Sequence, residues 1–225
     1  MVPTDARDRL KDARRELYRE AVLDAAEGIF ADSGYEATRV ADIASAAGIS
    51  LATFYAVFKK KWDVYRAVHA RRLQELMTTV DVSNMDTDVL GAMMSGIKTH
   101  LTFHMKYPNY LRMHLRERNA WTTDEGLRSP EQTEAWKAGL SLMVSGFETG
   151  MEQGIFEHDD AELMARTLLG MHQVRLALWV ERGQEETPQE LIQGALRQLI
   201  RSFCPTGRVD ELITATGVDQ GRQSA

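Results

Sequence analysis

Residues 43–61 read IASAAGISLATFYAVFKKK. The run holds two short helical segments divided at Gly48. The first carries apolar Ile43, Ala44 and Ala47, and the second runs from Ser50 to Phe58. Glycine accepts the positive φ that ends a helix. Serine before an apolar run caps the next helix by accepting a backbone N–H. Two short helices joined by a tight glycine-containing turn form a helix-turn-helix, and the second helix of that motif enters the major groove of DNA. Lys59, Lys60 and Lys61 follow it directly, where phosphates would lie.

Upstream, Val22, Ala25, Ala26, Ile29 and Phe30 recur at the spacing of one helical face. Ser33-Gly34 ends that helix and Thr38 is the expected N-cap of the next. The stretch from Arg19 to Val68 resembles the N-terminal DNA-binding domain of the tetracycline-repressor (TetR) family of bacterial transcription regulators. The resemblance rests on Ala25-Ala26, Phe30, Gly34-Tyr35, Thr38, Asp42-Ile43-Ala44, Ala47-Gly48, Ser50, Thr53, Tyr55, Phe58 and Lys61. It covers roughly the first third of the chain; beyond that, only length and helical organisation are similar.

The N-terminal residues of a docked recognition helix face base edges; here they are Ser50, Leu51, Ala52 and Thr53, with Ala56 one turn on. The resemblance implies contacts from Thr53 and Tyr55 and a phosphate contact from Lys61. Thr38 and Arg39, where the preceding helix begins, and Lys59 complete the expected DNA-binding set. Family members often carry long polar side chains where Leu51 and Val57 stand. Leu51, Ala52 and Ala56 offer no hydrogen bond, but they suit thymine methyl groups. Against these roles, Tyr55 equally suits a rim position and the lysine run a solvated face, while Phe54 and Phe58 fit the domain core.

The 225 residues carry a net charge of −6, which by itself disfavours nucleic acid. Residues 1–66, however, hold 11 basic and 11 acidic side chains, so the excess acid lies elsewhere, and the bases cluster at Arg7–Arg19 and Lys59–Arg66. Local clustering sets phosphate attraction. A single cysteine, Cys204, excludes an intrachain disulfide and fits a reducing compartment. The N-terminus has no apolar stretch of the signal-peptide kind, and no apolar run reaches a membrane span. A cytoplasmic protein is expected.

An all-α fold of nine principal helices is expected. After a charged arm over residues 1–11, they lie near 12–32, 39–47, 51–58, 61–78, 89–107, 108–117, 129–153, 159–182 and 187–203. Ser129-Pro130-Glu131-Gln132 and Thr187-Pro188-Gln189-Glu190 read as capping boxes with proline at the first turn, and Asp159 with Glu162 as another start. Thr78–Asp88 reads as a connection, Asn119–Arg128 as a polar loop with an exposed Trp121, and the residues after Pro205 as a loose tail. The expected domains are 1–66 for DNA binding, 67–204 for ligand binding and dimerisation, and a tail over 205–225.

The fifth helix is apolar nearly all round, with Met94, Ile97 and Leu101. With Met113 on the sixth helix and Met143 and Phe147 on the seventh, these residues suit either ordinary core or the lining of an apolar ligand pocket between bundle helices. His100 and His104 stand at i, i+4, with His114 on the next helix. They read as pocket lining or surface, since no ligand set of recognisable spacing completes a metal site. Arg175, inside an apolar run, needs a partner: an anionic ligand group, a glutamate or the dimer contact. Leu168, Met171 and Leu178 on the eighth helix and Leu196, Leu199 and Phe203 on the ninth make both helices apolar enough to pair with their copies across a twofold axis.

The expected function is a dimeric, ligand-responsive, sequence-specific regulator of transcription, a repressor released from its operator by a small apolar effector. It is expected to work without cofactor, metal or enzymatic activity. A ligand-independent architectural DNA binder is the alternative. An enzyme with a DNA-binding head lacks support, because the chain shows neither a phosphate loop nor a nucleophile elbow.

Overall fold

The computed structural model describes residues 4–79, 87–116, 121–123 and 129–218. Among them lie ten α-helices and no strand. The helices are α1 (Thr4–Ala37), α2 (Val40–Ala46), α3 (Leu51–Val57), α4 (Lys61–Met77), α5 (Val89–Lys106), α6 (Pro108–Arg116), α7 (Pro130–Glu152), α8 (Ala161–Glu181), α9 (Pro188–Phe203) and α10 (Val209–Ala215). Both capping boxes form: Ser129 Oγ accepts from the Gln132 N–H, and Thr187 Oγ1 from the Glu190 N–H. The N-cap of α8 is Asp160, which accepts from the Leu163 N–H, in place of Asp159.

Two compact units emerge, one of Met1–Gln74 with Asn109–Arg118 and one of Glu75–Pro108 with Asn119–Ala225. The first unit therefore extends past the expected division at residue 66, taking in residues 67–74 of α4 and all of α6 but Pro108. In the first unit α1, α2 and α3 enclose Val22, Ala26, Phe30, Ile43, Ala44, Phe54 and Phe58. The buried Tyr65 of α4 stacks on Trp62 at 5.4 Å and meets the edges of Phe30 and Tyr35. α6 joins this unit because His69 Nδ1 lies 3.1 Å from the Tyr110 hydroxyl and Arg116 Nε donates to the Ala31 carbonyl. α1 begins at Thr4, so the expected arm is helical: the stretch TDARDRLKDARREL contains no helix breaker. α1 is interrupted at Gly34, whose φ of 77° places it outside helical geometry.

An ion-pair group centred on the buried Glu27 ties α1 to α4. Arg72 grips both carboxylate oxygens of Glu27, at 2.8 and 3.1 Å, and Arg71 spans Glu20, Asp24 and Glu27.

In the second unit α5, α7, α8 and α9 pack together. Phe147 is fully buried, with Phe156 and Phe203 each 5.0 Å away between ring centroids. Gly150 is needed there, because a Cβ on it would fall 2.2 Å from the Phe156 ring. The residues past Cys204 are not a loose tail as far as Val218. A 3₁₀ turn at Thr206–Arg208 leads into α10, whose Leu212 and Ile213 are buried with Val218, and α10 packs on α9. Trp121 is also buried rather than exposed. Its backbone N–H donates to Gln173 and its carbonyl accepts the Trp136 indole N–H. Residues 80–86 of the expected connection, and 119–120 and 124–128 of the expected loop, lie outside the described residues.

Candidate nucleic-acid interface

The turn between α2 and α3 follows from two residues. Gly48 has φ 67°, and around it the Ile49 N–H returns to the Ala44 carbonyl at 3.0 Å. Ser50 then caps α3: its Oγ accepts from the Thr53 N–H at 3.1 Å and lies 2.9 Å from the Thr53 hydroxyl. With the first turn of α3 fixed, Phe54 and Phe58 point into the core. The opposite face is left to solvent, with Ser50, Leu51, Ala52, Tyr55 and Ala56 exposed and Thr53 half-buried. Leu51 is 47 % and Tyr55 54 % exposed, large values for apolar bodies. Tyr55 is propped edge-on against Phe54 at 5.5 Å. The face is thus chiefly apolar and hydroxyl-bearing, a surface that contacts methyl groups and phosphate oxygens but carries no formal charge.

Three of the expected contacts take other places. Thr38 is buried and its hydroxyl donates to the Gly34 carbonyl at 2.7 Å, while the N-cap position of α2 falls to Arg39. Arg39 is exposed, but its guanidinium is held by Asp42 through Nε and Nη2, both at 3.0 Å. That pairing raises the Arg39 pKa and lowers that of Asp42. Lys61 departs furthest from expectation. Its Nζ donates to the carbonyls of Tyr35, Glu36 and Thr38 at 2.6, 3.2 and 2.9 Å, and sits 4.3 Å from the Tyr35 ring centre. An ammonium has three donors, and all three serve the carbonyl-rich end of α1. Lys59 and Lys60 are exposed.

Lys61→Ala should therefore lower stability by about 2 kcal/mol, the scale of hydrogen bonds to a charged group, and leave the salt dependence of DNA binding in place. Lys59→Ala should reduce that slope by about 0.9. Urea unfolding and binding titrations over a salt series check both. An unchanged unfolding midpoint with a flattened slope would return Lys61 to the phosphate.

The expected ligand-pocket residues divide. Met113 is buried on α6 in the first unit, and His114 stands there beside His69 at 5.3 Å. In the second unit Ile97, Leu101 and Phe147 are buried, and Met94 and Met143 are half-buried. Phe147 belongs to the aromatic trio and so acts as core. His100, His104 and His172, a histidine that periodicity did not single out, converge with Trp121. His100 lies 4.5 Å from His104 and 5.7 Å from His172, and Trp121 lies 4.9 Å from His104. His104 Nδ1 lies 2.9 Å from the His100 carbonyl, so it carries the proton and donates. Burial holds His104 at about 4 and His172 at about 3, both uncharged at neutral pH. Among the described residues no group of histidine, cysteine, aspartate and glutamate side chains fits a metal ion.

Arg175 lies near that cluster, where its charge adds to the lowering of the His172 pKa after burial. Nη2 donates to Gln198 Oε1 at 2.9 Å, and the guanidinium lies against Gly194 of α9, where a Cβ would come within 2.6 Å of Nη1. Of the expected dimer residues, Leu168 on α8 and Leu196, Leu199 and Phe203 on α9 are already buried within one chain, because α7 and α9 pack on α8 and α5, α8 and α10 pack on α9. Met171 is half-buried and Leu178 exposed. On α8 the large apolar residues left outside are Leu163, Val174 and Leu178, 57, 60 and 39 % exposed along one side of the helix. α8 is apolar on more than one face, so its sequence did not distinguish this side from the buried one.

Residues 22–68 match the family described as bacterial regulatory proteins, tetR family. Over 50 residues the chain is 46 % identical to the HTH-type transcriptional repressor ComR of Escherichia coli (strain K12), a match spanning 22 % of this chain and 24 % of that repressor's length. Likeness in fold extends much further. A gamma-butyrolactone receptor, an ArpA-like protein, superimposes with a TM-score of 0.64 at 22 % identity, covering 92 % of this chain and 99 % of the receptor. A transcriptional regulator from Saccharomonospora viridis in complex with choline gives 0.65 at 20 % identity, covering 83 % of this chain and 97 % of its own. Among the described residues no single helix is long and apolar enough to cross a membrane. The glycine-turned, serine-capped helix-turn-helix thus lies within a segment similar to the tetR family of bacterial regulatory proteins, and the all-helical fold of the whole chain is one shared with the regulators above.

Proposed function

We propose that the protein is a dimeric, sequence-specific DNA-binding regulator of transcription, acting as a repressor that a small, mainly apolar effector releases from its operator. The observation that carries this reading is the outward face of α3. Ser50, Leu51, Ala52, Tyr55 and Ala56 are exposed together on a helix whose other side is locked by Phe54 and Phe58. Leu51 stands beside Ala52 and Ala56, and together they are placed to meet thymine methyl groups at base edges. Dimerisation is supported by the uncovered stripe of Leu163, Val174 and Leu178 and by the need to place two recognition helices about 34–36 Å apart. Effector binding is supported by the buried imidazole and indole groups around His172, and by the small-molecule ligands in the names of the gamma-butyrolactone receptor and of the choline complex.

The test begins with duplexes enriched by the protein from a random-sequence pool. Val174→Asp with Leu178→Asp should give a monomer in sedimentation and weaken binding to the enriched duplex at least about 100-fold. A monomer engages one half-site where the dimer holds two together, and avidity of that order disappears. Tyr55→Ala should weaken the same binding without changing the sedimentation. If no duplex is enriched, the DNA-binding reading fails. If the aspartate variant remains a dimer, the α8 stripe is not the subunit interface.

A further inference from the structure

We propose that the N-terminal half of α1 forms a second DNA-contacting surface, a basic stripe of Arg7, Lys11, Arg14 and Arg15 that runs along the phosphate backbone beside α3. The proposal rests on the DNA-binding function proposed for α3 and adds a surface to it.

The charges of this half-helix are sorted by face. Positions 7, 11, 14, 15 and 18 recur at i, i+4, i+7, i+8 and i+11, one side of a helix, and hold four cations and Tyr18 with no acid among them. The acids Asp8, Asp12, Glu16 and Glu20 follow one another at i+4 along the adjoining arc. Part of that acidity is absorbed within the chain, since Arg71 takes Glu20, Asp24 and Glu27, and Arg19 faces Glu16 at 4.0 Å. The basic side is not absorbed in that way. Arg7, Lys11, Arg14 and Arg15 are all exposed, and Arg14 spends two donors on the neutral Tyr18 hydroxyl at 3.0 and 2.9 Å.

Position supplies the partner. Arg15 and Arg19, with Asp12 and Glu16, border a depression of about 380 Å³ whose remaining wall is Val57, the last residue of α3. Arg19 lies over the ring of Phe58 at 4.6 Å, and the exposed Lys59 and Lys60 come next in the chain. The stripe therefore starts where the recognition helix ends. From Arg7 to Arg15 it spans roughly 12 Å at 1.5 Å per residue, matching three to four nucleotide steps of one strand at about 3.4 Å each. Leu10 and Leu17, 68 and 71 % exposed, border the stripe on its other side. They define the competing occupant, a helix of a second copy.

The test uses the full chain with Arg7, Lys11, Arg14 and Arg15 all changed to Gln, titrated over a salt series against the enriched duplex and a scrambled duplex of the same length. The expected result is affinity at least tenfold weaker for both duplexes at physiological salt. The slope of log K against log salt should shallow by about 0.9 for each phosphate that is no longer neutralised. Arg182→Gln with Arg201→Gln, a charge change on exposed residues of the second unit, should leave slope and affinity as in the parent. Circular dichroism confirms that the variants keep their helix. A quadruple variant with the parental slope overturns the proposal, while DNA binding by the parent stands. Loss of dimer in Leu10→Gln with Leu17→Gln, together with unaltered DNA binding by the quadruple variant, assigns the half-helix to a chain–chain interface and overturns it equally. A parent that binds neither duplex overturns the DNA-binding function itself.

Discussion

Glu27→Leu should cost the protein about 3–5 kcal/mol, the loss expected when one member of a buried ion pair is removed. Glu27 is 5 % exposed, and its two oxygens meet Arg72 Nε and Nη2 and Arg71 Nη2. Leucine fits the space but takes the gripped carboxylate away from the Arg72 guanidinium, which has only 12 % of its side chain exposed. Arg71 keeps Glu20 and Asp24, both at the surface, so the cost falls mainly on Arg72. Glu27→Leu combined with Arg72→Leu should recover much of the loss, because an apolar pair removes the buried charge as well. Urea unfolding of the two variants separates the cases. Equal losses would mean that α1 and α4 are held by packing alone and that the ion pair is incidental.

Stability should fall steeply between pH 7 and pH 5. A histidine in the unfolded chain protonates near 6.5, whereas burial lowers His104 to about 4 and His172 to about 3. Between those limits the unfolded state binds more protons than the native one, so stability is complete above 6.5 and is lost as pH falls below it. Each group contributes at most about 1.4 kcal/mol per pH unit, so the pair removes up to about 4 kcal/mol by pH 5. The carboxylates titrate lower, near 4, and interfere little in this window. His69, also driven well down by burial and then by His114, adds to the loss from the first unit. His172→Leu should reduce the pH dependence of the urea midpoint. An equal fall in parent and variant would show that His172 takes up its proton alike in the native and unfolded states and that its environment is wetter than its burial indicates.

The parts of this fold legible in the sequence are those fixed by neighbours within four residues. Gly48, the Ser50 cap and the boxes at Ser129 and Thr187 are local devices, and each stands where its residue types place it. Phe54 and Phe58, expected in the core, are buried, and Leu51, Tyr55 and Ala56, placed outward by the motif and by the family resemblance, are exposed. What could not be read was the partner of a side chain far along the chain. Lys61 looks like a phosphate ligand until its ammonium meets carbonyls 23 to 26 residues earlier. α9 reads as half of a subunit interface, yet its Leu196, Leu199 and Phe203 already find partners within the chain, among them α10, built from an apparently polar tail. His172 joins His100 across 72 residues, and nothing near it signals that meeting. An apolar or cationic face records a need for a partner without identifying it.

The assignment of α6 to the first unit makes that unit discontinuous: the chain leaves it after Gln74, returns for Asn109–Arg118 and leaves again. The two units are therefore stitched by three covalent crossings rather than hung on one linker. A fragment ending at Gln74 would keep every residue of the helix-turn-helix and still be an incomplete body, with His69 deprived of the Tyr110 hydroxyl and the Ala31 carbonyl of Arg116. Such a fragment should melt below the intact protein and gain from a separately added α6 peptide. The reading head cannot be borrowed as a module by cutting once, and a change in strain anywhere along residues 75–108 has two attachment points through which to reach it.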